Sequence, residues 1–201
     1  MQIYLCSLCD LPQARLELLE AALPQGRRAK AAACRKPEAR AACAVGYHLV
    51  RYAARALMLP PPKADFAIHQ GGKPYIPELP FHFNLSHSDG LVVLAVSKTH
   101  PVGVDIEKIR PLRPGFAERW LTASEQAALA HAEDREAATI LLWTAKEAAA
   151  KKSGTGLGYR PQEISTADTA SILLAQGEDR YALSVSPAAP ISPIWVDPTK
   201  L

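Results

Sequence analysis

No run of about 18 consecutive apolar residues occurs in this 201-residue chain, so nothing in it reads as a membrane-spanning helix. The opening Met1-Gln-Ile-Tyr-Leu5 lacks a basic segment ahead of a long apolar run, which leaves no secretory signal to be read. Cysteine is sparse. Cys6 and Cys9 have the spacing of a metal knuckle, but no second pair follows, and Cys34 and Cys43 stand apart. A redox pair or small residues packed at the end of a first strand both fit the Cys6–Cys9 spacing. Aromatic residues make up only 6% and are not interleaved with basic ones, which argues against nucleic-acid binding. These absences point to a cytoplasmic protein in a reducing compartment, with no membrane and no nucleic acid among its partners.

What is present is ordinary globular material, 48% hydrophobic and 21% charged, enough for one large domain or two small ones. The net charge is only +3, yet residues 11 to 55 carry nine Lys or Arg against three acids. That local excess suits an anionic partner: nucleic acid, an acidic protein or a phosphorylated small molecule. Alternating apolar residues predict a strand over 2–8, and the segment 11–23, with Leu16, Leu18 and Leu19, is expected as a helix. A basic helical turn or two follows over 27–34. Pro37 then opens a helix to about Leu59, stopped by Pro60-Pro-Pro62. Short strands are expected at 65–69, 81–86, 91–97 and 102–107, with Asp89-Gly90 as a hairpin turn, giving an antiparallel meander. Thr122-Ala-Ser-Glu125 is a capping box for a helix to about Ala132, and Asp134 caps another that Gly154 ends after Ser153. Strands near 163–166, 171–175, 180–186 and 191–196 complete an α+β fold. It is expected as two similar halves, residues 1–103 and 104–201, related by a pseudo-twofold with the active site between them.

Three runs could carry chemistry. In Val102-Gly-Val-Asp-Ile-Glu107, strand alternation puts Asp105 and Glu107 on one face beside buried Val104 and Ile106. Two carboxylates so placed repel unless a cation, a proton or basic side chains stand between them, and few oxygen ligands with room for phosphate suit Mg²⁺. Solvated acids on an edge strand are the plainer alternative. Phe83-Asn-Leu-Ser-His-Ser88 places hydroxyls and an imidazole before a tight turn, where they bind phosphate or serve the turn itself. In Trp143-Thr-Ala-Lys-Glu-Ala-Ala-Ala-Lys151, helical spacing puts Trp143, Glu147 and Lys151 on one face. A surface Glu-to-Lys pair explains two of them, but not their place beside an inward-packing Trp. Gly72-Lys73-Pro74 means little alone.

Together and in this order, these runs resemble the 4′-phosphopantetheinyl transferases of the Sfp, surfactin-synthetase-activating type, over most of residues 25 to 160. The resemblance implies transfer of the 4′-phosphopantetheine arm of coenzyme A to a serine of an acyl, peptidyl or polyketide carrier protein, releasing adenosine 3′,5′-bisphosphate. It implies a monomer with the active site between two α+β halves. It implies Asp105, Glu107 and Glu147 as ligands of Mg²⁺ or Mn²⁺, Glu147 also as the base for the carrier serine, and Lys151 beside the pyrophosphate. It puts Arg40, Ser86 and His87 near the 3′-phosphate of coenzyme A, and Lys73 with Pro74 near the adenine and ribose. Arg27, Arg28 and Lys30 resemble the family's basic N-terminal segment. The last 40 residues match poorly. A different nucleotide-dependent phosphotransferase, or a non-catalytic binding module for coenzyme A or a carrier protein, are the alternatives.

Overall fold

The computed structural model describes residues 1–154 and 161–201. The first strand, β1 (Gln2–Ser7), leads into α1 (Gln13–Ala21), α2 (Gln25–Ala32) and the long α3 (Pro37–Ala56). Pro37 starts α3 at the position where its missing N–H costs nothing. A two-residue ribbon follows, β2 (Ala67–Ile68) with β3 (Pro74–Tyr75), then β4 (His82–Ser88), β5 (Leu91–Ser97) and β6 (Gly103–Lys108). Next come α4 (Phe116–Trp120), α5 (Ala123–Leu129), α6 (Arg135–Ser153), β7 (Ala170–Gln176), β8 (Asp179–Ser186) and β9 (Ile194–Trp195). Among the described residues no helix is long and apolar enough to cross a membrane.

The architecture is α+β, as the periodicities predict, but the strands do not form the expected meander. β4 and β5 make a hairpin through Asp89 and Gly90, both at positive φ, as a tight two-residue turn requires. The far edge of β5 pairs with β1, and the sheet order is β4-β5-β1-β9. β6 leaves this sheet to form a second one, in the order β6-β8-β7. β5 has neighbours on both edges already, so β6 has no free ladder to join there. The stretch 163–166, expected as a strand, holds no strand. A single 3₁₀ turn at Pro161–Glu163 precedes it. β9 runs parallel to β1, a pairing that the expected antiparallel sheets do not include. It carries Val196 and Leu201 into the core beside α3, so residues 194–201 pack with the first half.

Alternation along β1 and β5 feeds two cores. Tyr4, Cys6, Val92, Leu94 and Val96 face α1, α2 and α3. Ile3, Leu5, Leu91, Val93 and Ala95 face Val104 and Ile106 of β6 and Leu183 and Val185 of β8. Cys6 is therefore a core residue, its thiol pushed up to about 12 chiefly by burial, and no metal knuckle forms with exposed Cys9. The opposite face of β6 carries Gly103, Asp105 and Glu107, and α6 lies over it. Gly103 permits this close approach. A Cβ there would stand 1.9 Å from the Ala148 carbonyl oxygen and 2.5 Å from the Lys152 nitrogen, both backbone. Gly103→Ala is accordingly expected to destabilise the fold by about 1–3 kcal/mol or more, since neither element can yield locally. Urea unfolding measures it, and a change under 0.5 kcal/mol would show that α6 is not seated on this glycine.

Candidate active site

The site forms where β4, β6 and α6 meet. β4 and β6 stand side by side at the junction of the two sheets, joined by side chains instead of a backbone ladder. Every second residue of β4 reaches across. The Asn84 Oδ1 accepts from the Val104 N–H at 2.9 Å, the Ser86 hydroxyl donates to Asp105 Oδ1 at 2.7 Å, and the Ser88 hydroxyl donates to Glu107 Oε2 at 2.8 Å. Ser88 also accepts from the Lys108 N–H at 3.1 Å. Asp105 and Glu107 thus share a face, as strand alternation demands.

α6 brings the other two groups. The capping box of α5 forms as expected, and the Asp134 side chain accepts from the Ala137 N–H to start α6. Gly154, at φ 74°, takes the left-handed cap. Between these ends Trp143, Glu147 and Lys151 lie along one side. Trp143 packs into an aromatic group with Trp120, at 4.7 Å between ring centroids, and Phe116, at 5.5 Å. The Lys151 ammonium reaches Asp105 Oδ1 at 2.6 Å and the Ser86 hydroxyl at 3.0 Å.

The electrostatics are those of an acid cluster short of positive charge. Burial, then the neighbouring Asp105 and Glu107 carboxylates, raise the Glu147 carboxyl to about 7, and Lys151 offsets this only in part. Glu107 is also raised, mainly by burial, against the lowering effect of its bond to Ser88. Asp105 is 3% exposed, and its Oδ2 is buried without a hydrogen-bond partner. Leaving such an oxygen unpaired is costly, and a cation is the partner it fits. An all-oxygen donor set also fits Mg²⁺ or Mn²⁺. Among the described residues, however, no three His, Cys, Asp or Glu side chains stand close enough to hold a metal ion unaided. Lys151 and Ser86 both engage Asp105 Oδ1, which leaves the buried Oδ2 as the open oxygen. An ion here would need further oxygens from water or a bound phosphate, which is how Mg²⁺ is commonly held.

The remaining expected residues are more dispersed. His87 follows Ser86 on β4 but points to the opposite face, exposed at its edge. Crowding by the surrounding chain holds its pKa below the ordinary histidine value. Arg40 lies at an exposed position of α3 and is ion-paired with Glu20. Lys73 donates to the carbonyls of Val102 at 2.7 Å and Lys152 at 3.0 Å, and burial, with Lys152 nearby, lowers its pKa to about 8. It ties the β2–β3 ribbon to the start of β6 and the end of α6. Pro74 sits in β3 and, with Lys73, lines a cavity of about 430 Å³ that runs on to Phe83. Arg27 is buried, its guanidinium 4.4 Å over the Phe66 ring and donating to Cys43 Sγ, so it serves the core. Arg28 donates to carbonyls of α1 and its exit. Sequence reasoning missed Asn84 and Ser88 as partners of β6, although their two-residue spacing with Ser86 was a legible signal.

An acid pair on one strand, with a glutamate and a lysine on the helix above it, is the arrangement to set beside known proteins. Residues 101–186 match the family model of the 4′-phosphopantetheinyl transferase superfamily. The chain is 39% identical over 117 residues to a Bacillus subtilis 4′-phosphopantetheinyl transferase, covering 56% of this chain and 52% of that one. To 4′-phosphopantetheinyl transferase Sfp of Bacillus subtilis it is 40% identical over 96 residues, 46% of this chain and 42% of the other. To 4′-phosphopantetheinyl transferase HetI of Nostoc it is 28% identical over 199 residues, covering 89% and 84%. The chain is thus similar to 4′-phosphopantetheinyl transferases, Sfp of Bacillus subtilis among them, and its alignment spans about half the length of the Bacillus proteins.

Proposed function

We propose that the protein transfers the 4′-phosphopantetheine arm of coenzyme A to a serine of an acyl, peptidyl or polyketide carrier protein, releasing adenosine 3′,5′-bisphosphate. The observation that carries this reading is the grouping of Asp105 and Glu107 from β6 with Glu147 and Lys151 from α6 in one cluster with excess negative charge.

In this reading Asp105, Glu107 and Glu147 hold Mg²⁺ or Mn²⁺. The ion, when bound, neutralises the pyrophosphate of coenzyme A and makes its bridging oxygen a better leaving group. Serine is a weak nucleophile until a base takes its proton. Glu147, raised to about 7 by burial and its acid neighbours in the metal-free protein, would be held as a carboxylate by the ion and so be ready to take that proton. Its carboxylate accepts the serine proton as the serine oxygen bonds to phosphorus, and the bond to the bisphosphate oxygen breaks. Lys151, already turned into the cleft, steadies the charge that develops on the departing phosphate. Ser86 aims the Lys151 ammonium and the Asp105 carboxylate.

Arg40, Ser86 and His87 are proposed for the 3′-phosphate, with Arg40 exchanging Glu20 for the ligand, and Lys73 with Pro74 for the adenine and ribose. We further propose a cytoplasmic monomer of two related halves, 1–103 and 104–201. Incubation with coenzyme A, Mg²⁺ and a panel of apo carrier proteins is expected to add one phosphopantetheine mass to at least one carrier serine. Coenzyme A binding with no mass gain on any carrier would favour the non-catalytic binding module. Binding of ATP in preference to coenzyme A would favour a different phosphotransferase.

A further inference from the structure

Lys146 is 0% exposed, a rare state for a lysine, and it has no part in the chemistry above. Its ammonium pairs with Glu125 Oε1 at 2.9 Å and donates to the carbonyls of Pro161 at 3.3 Å and Ile164 at 3.4 Å. Glu125 is itself fixed, because its other oxygen closes the α5 capping box on the Thr122 N–H at 2.7 Å. Burial alone would raise the Glu125 carboxyl. The Thr122 N–H and the Lys146 ammonium outweigh it and hold the pKa below the usual range.

We propose that Lys146 is a positioning residue that fixes the rotation of α6 and thereby the place of Glu147, an inference that rests on the transferase reading above. The geometry of α6 supplies the reason. The side of the helix that meets the second sheet contains Ala145 and Ala148, with Thr144 bonded to Ser184 at 2.7 Å and Gly103 beneath Ala148. Alanine against glycine allows close approach but offers few ridges to resist rolling. At 100° per residue, Lys146 lies nearly opposite Thr144 and Ala148, so it pins the helix from the far side. The Lys151–Asp105 pair also restrains the roll, but the proposed chemistry needs that ammonium for phosphate. A carboxylate about 6 Å from the helix axis moves about 1 Å for a roll of about 10°. Misplacement on that scale costs up to about a hundredfold in rate.

The test compares wild type with Lys146→Met, Glu125→Gln and the double variant Lys146→Met/Glu125→Gln, in which glutamine preserves the capping box. The double variant leaves no buried charge unpaired, so it is expected to regain most of the melting temperature that Lys146→Met alone loses. Its kcat is nevertheless expected to stay about ten- to a hundredfold below wild type, with KM for coenzyme A within twofold. Near-ultraviolet circular dichroism reads the same roll without any reaction, because Trp143 rides on α6 and Trp120, 4.7 Å away, does not. That spectrum is expected to change in the folded double variant. Wild-type kcat in the double variant, or a raised KM in place of a lowered kcat, overturns the inference. So does an unchanged spectrum, even if wild type proves to transfer nothing, in which case the functional reading falls by itself. Should the Lys146 variants not fold, Glu125→Gln decides alone: about a fivefold lower kcat with an altered spectrum supports the inference, and wild-type values sink it.

Discussion

Asp105→Asn is expected to give a folded protein whose transfer rate is about 10²–10³-fold below wild type, the loss typical when one group that stabilises the transition state is removed. The side chain is buried and its Oδ1 already takes two donors, Ser86 and Lys151. Asparagine keeps the shape and the acceptor oxygen. It removes the negative charge on which the proposed cation and the orientation of Lys151 depend. Stability should change little. Lys151 is 28% exposed and is not stranded in a dry core, and the like-charge repulsion on Glu107 and Glu147 is relieved. Carrier mass after timed incubation measures the rate, and a thermal melt checks the fold. Full activity in this variant would remove the acid cluster from the mechanism.

Glu147→Gln should separate activity from stability in opposite directions. In the metal-free protein the Glu147 carboxyl titrates near 7, against 4.5 ordinarily, chiefly because it is buried. The folded state therefore holds a proton that the unfolded chain gives up. Its contribution to stability is whole below about pH 4.5 and is lost as the pH rises through 7. The full shift would correspond to about 3 kcal/mol, and partial solvent access reduces that to about 1–2 kcal/mol. Glutamine carries no such penalty. The variant should melt about 2–6 °C above wild type at pH 8 without metal, and at the same temperature as wild type at pH 4.5. Adding Mg²⁺ should narrow the gap at pH 8 by stabilising wild type alone. Transfer by the variant should fall about 10²–10⁴-fold, the span for removing a general base. Equal melting temperatures at pH 8 would mean that the carboxyl is neither crowded nor desolvated.

Candidate site residues placed on regular elements were the most legible part of the chain. Asp105 and Glu107 had to share a face once 103–107 was a strand, and Glu147 and Lys151 had to stand one turn apart once 135–153 was a helix. The caps at Thr122, Asp134 and Gly154 are local chemistry and could be read residue by residue. Residues whose roles depend on a partner far along the chain could not. Lys73, expected at a nucleotide, holds two carbonyls 29 and 79 residues away, and Arg40 is ion-paired with Glu20 on another helix. Lys146 immediately precedes the candidate base Glu147 in the sequence, yet points the other way. Its three partners come from α5 and from beyond residue 160.

The sequence by itself determined the class of fold, the elements that bear the acids and the lysine, and the order of motifs that carries the resemblance, because periodicity, capping and spacing are properties of neighbouring residues. Only the tertiary structure decided that β6 abandons the first sheet, that residues 194–201 return to it, and that Ser86 and Ser88 reach across to the two acids of β6. Those outcomes depend on which strand edges are free and on which buried oxygens find a donor, and both are settled by distant parts of the chain competing for the same space.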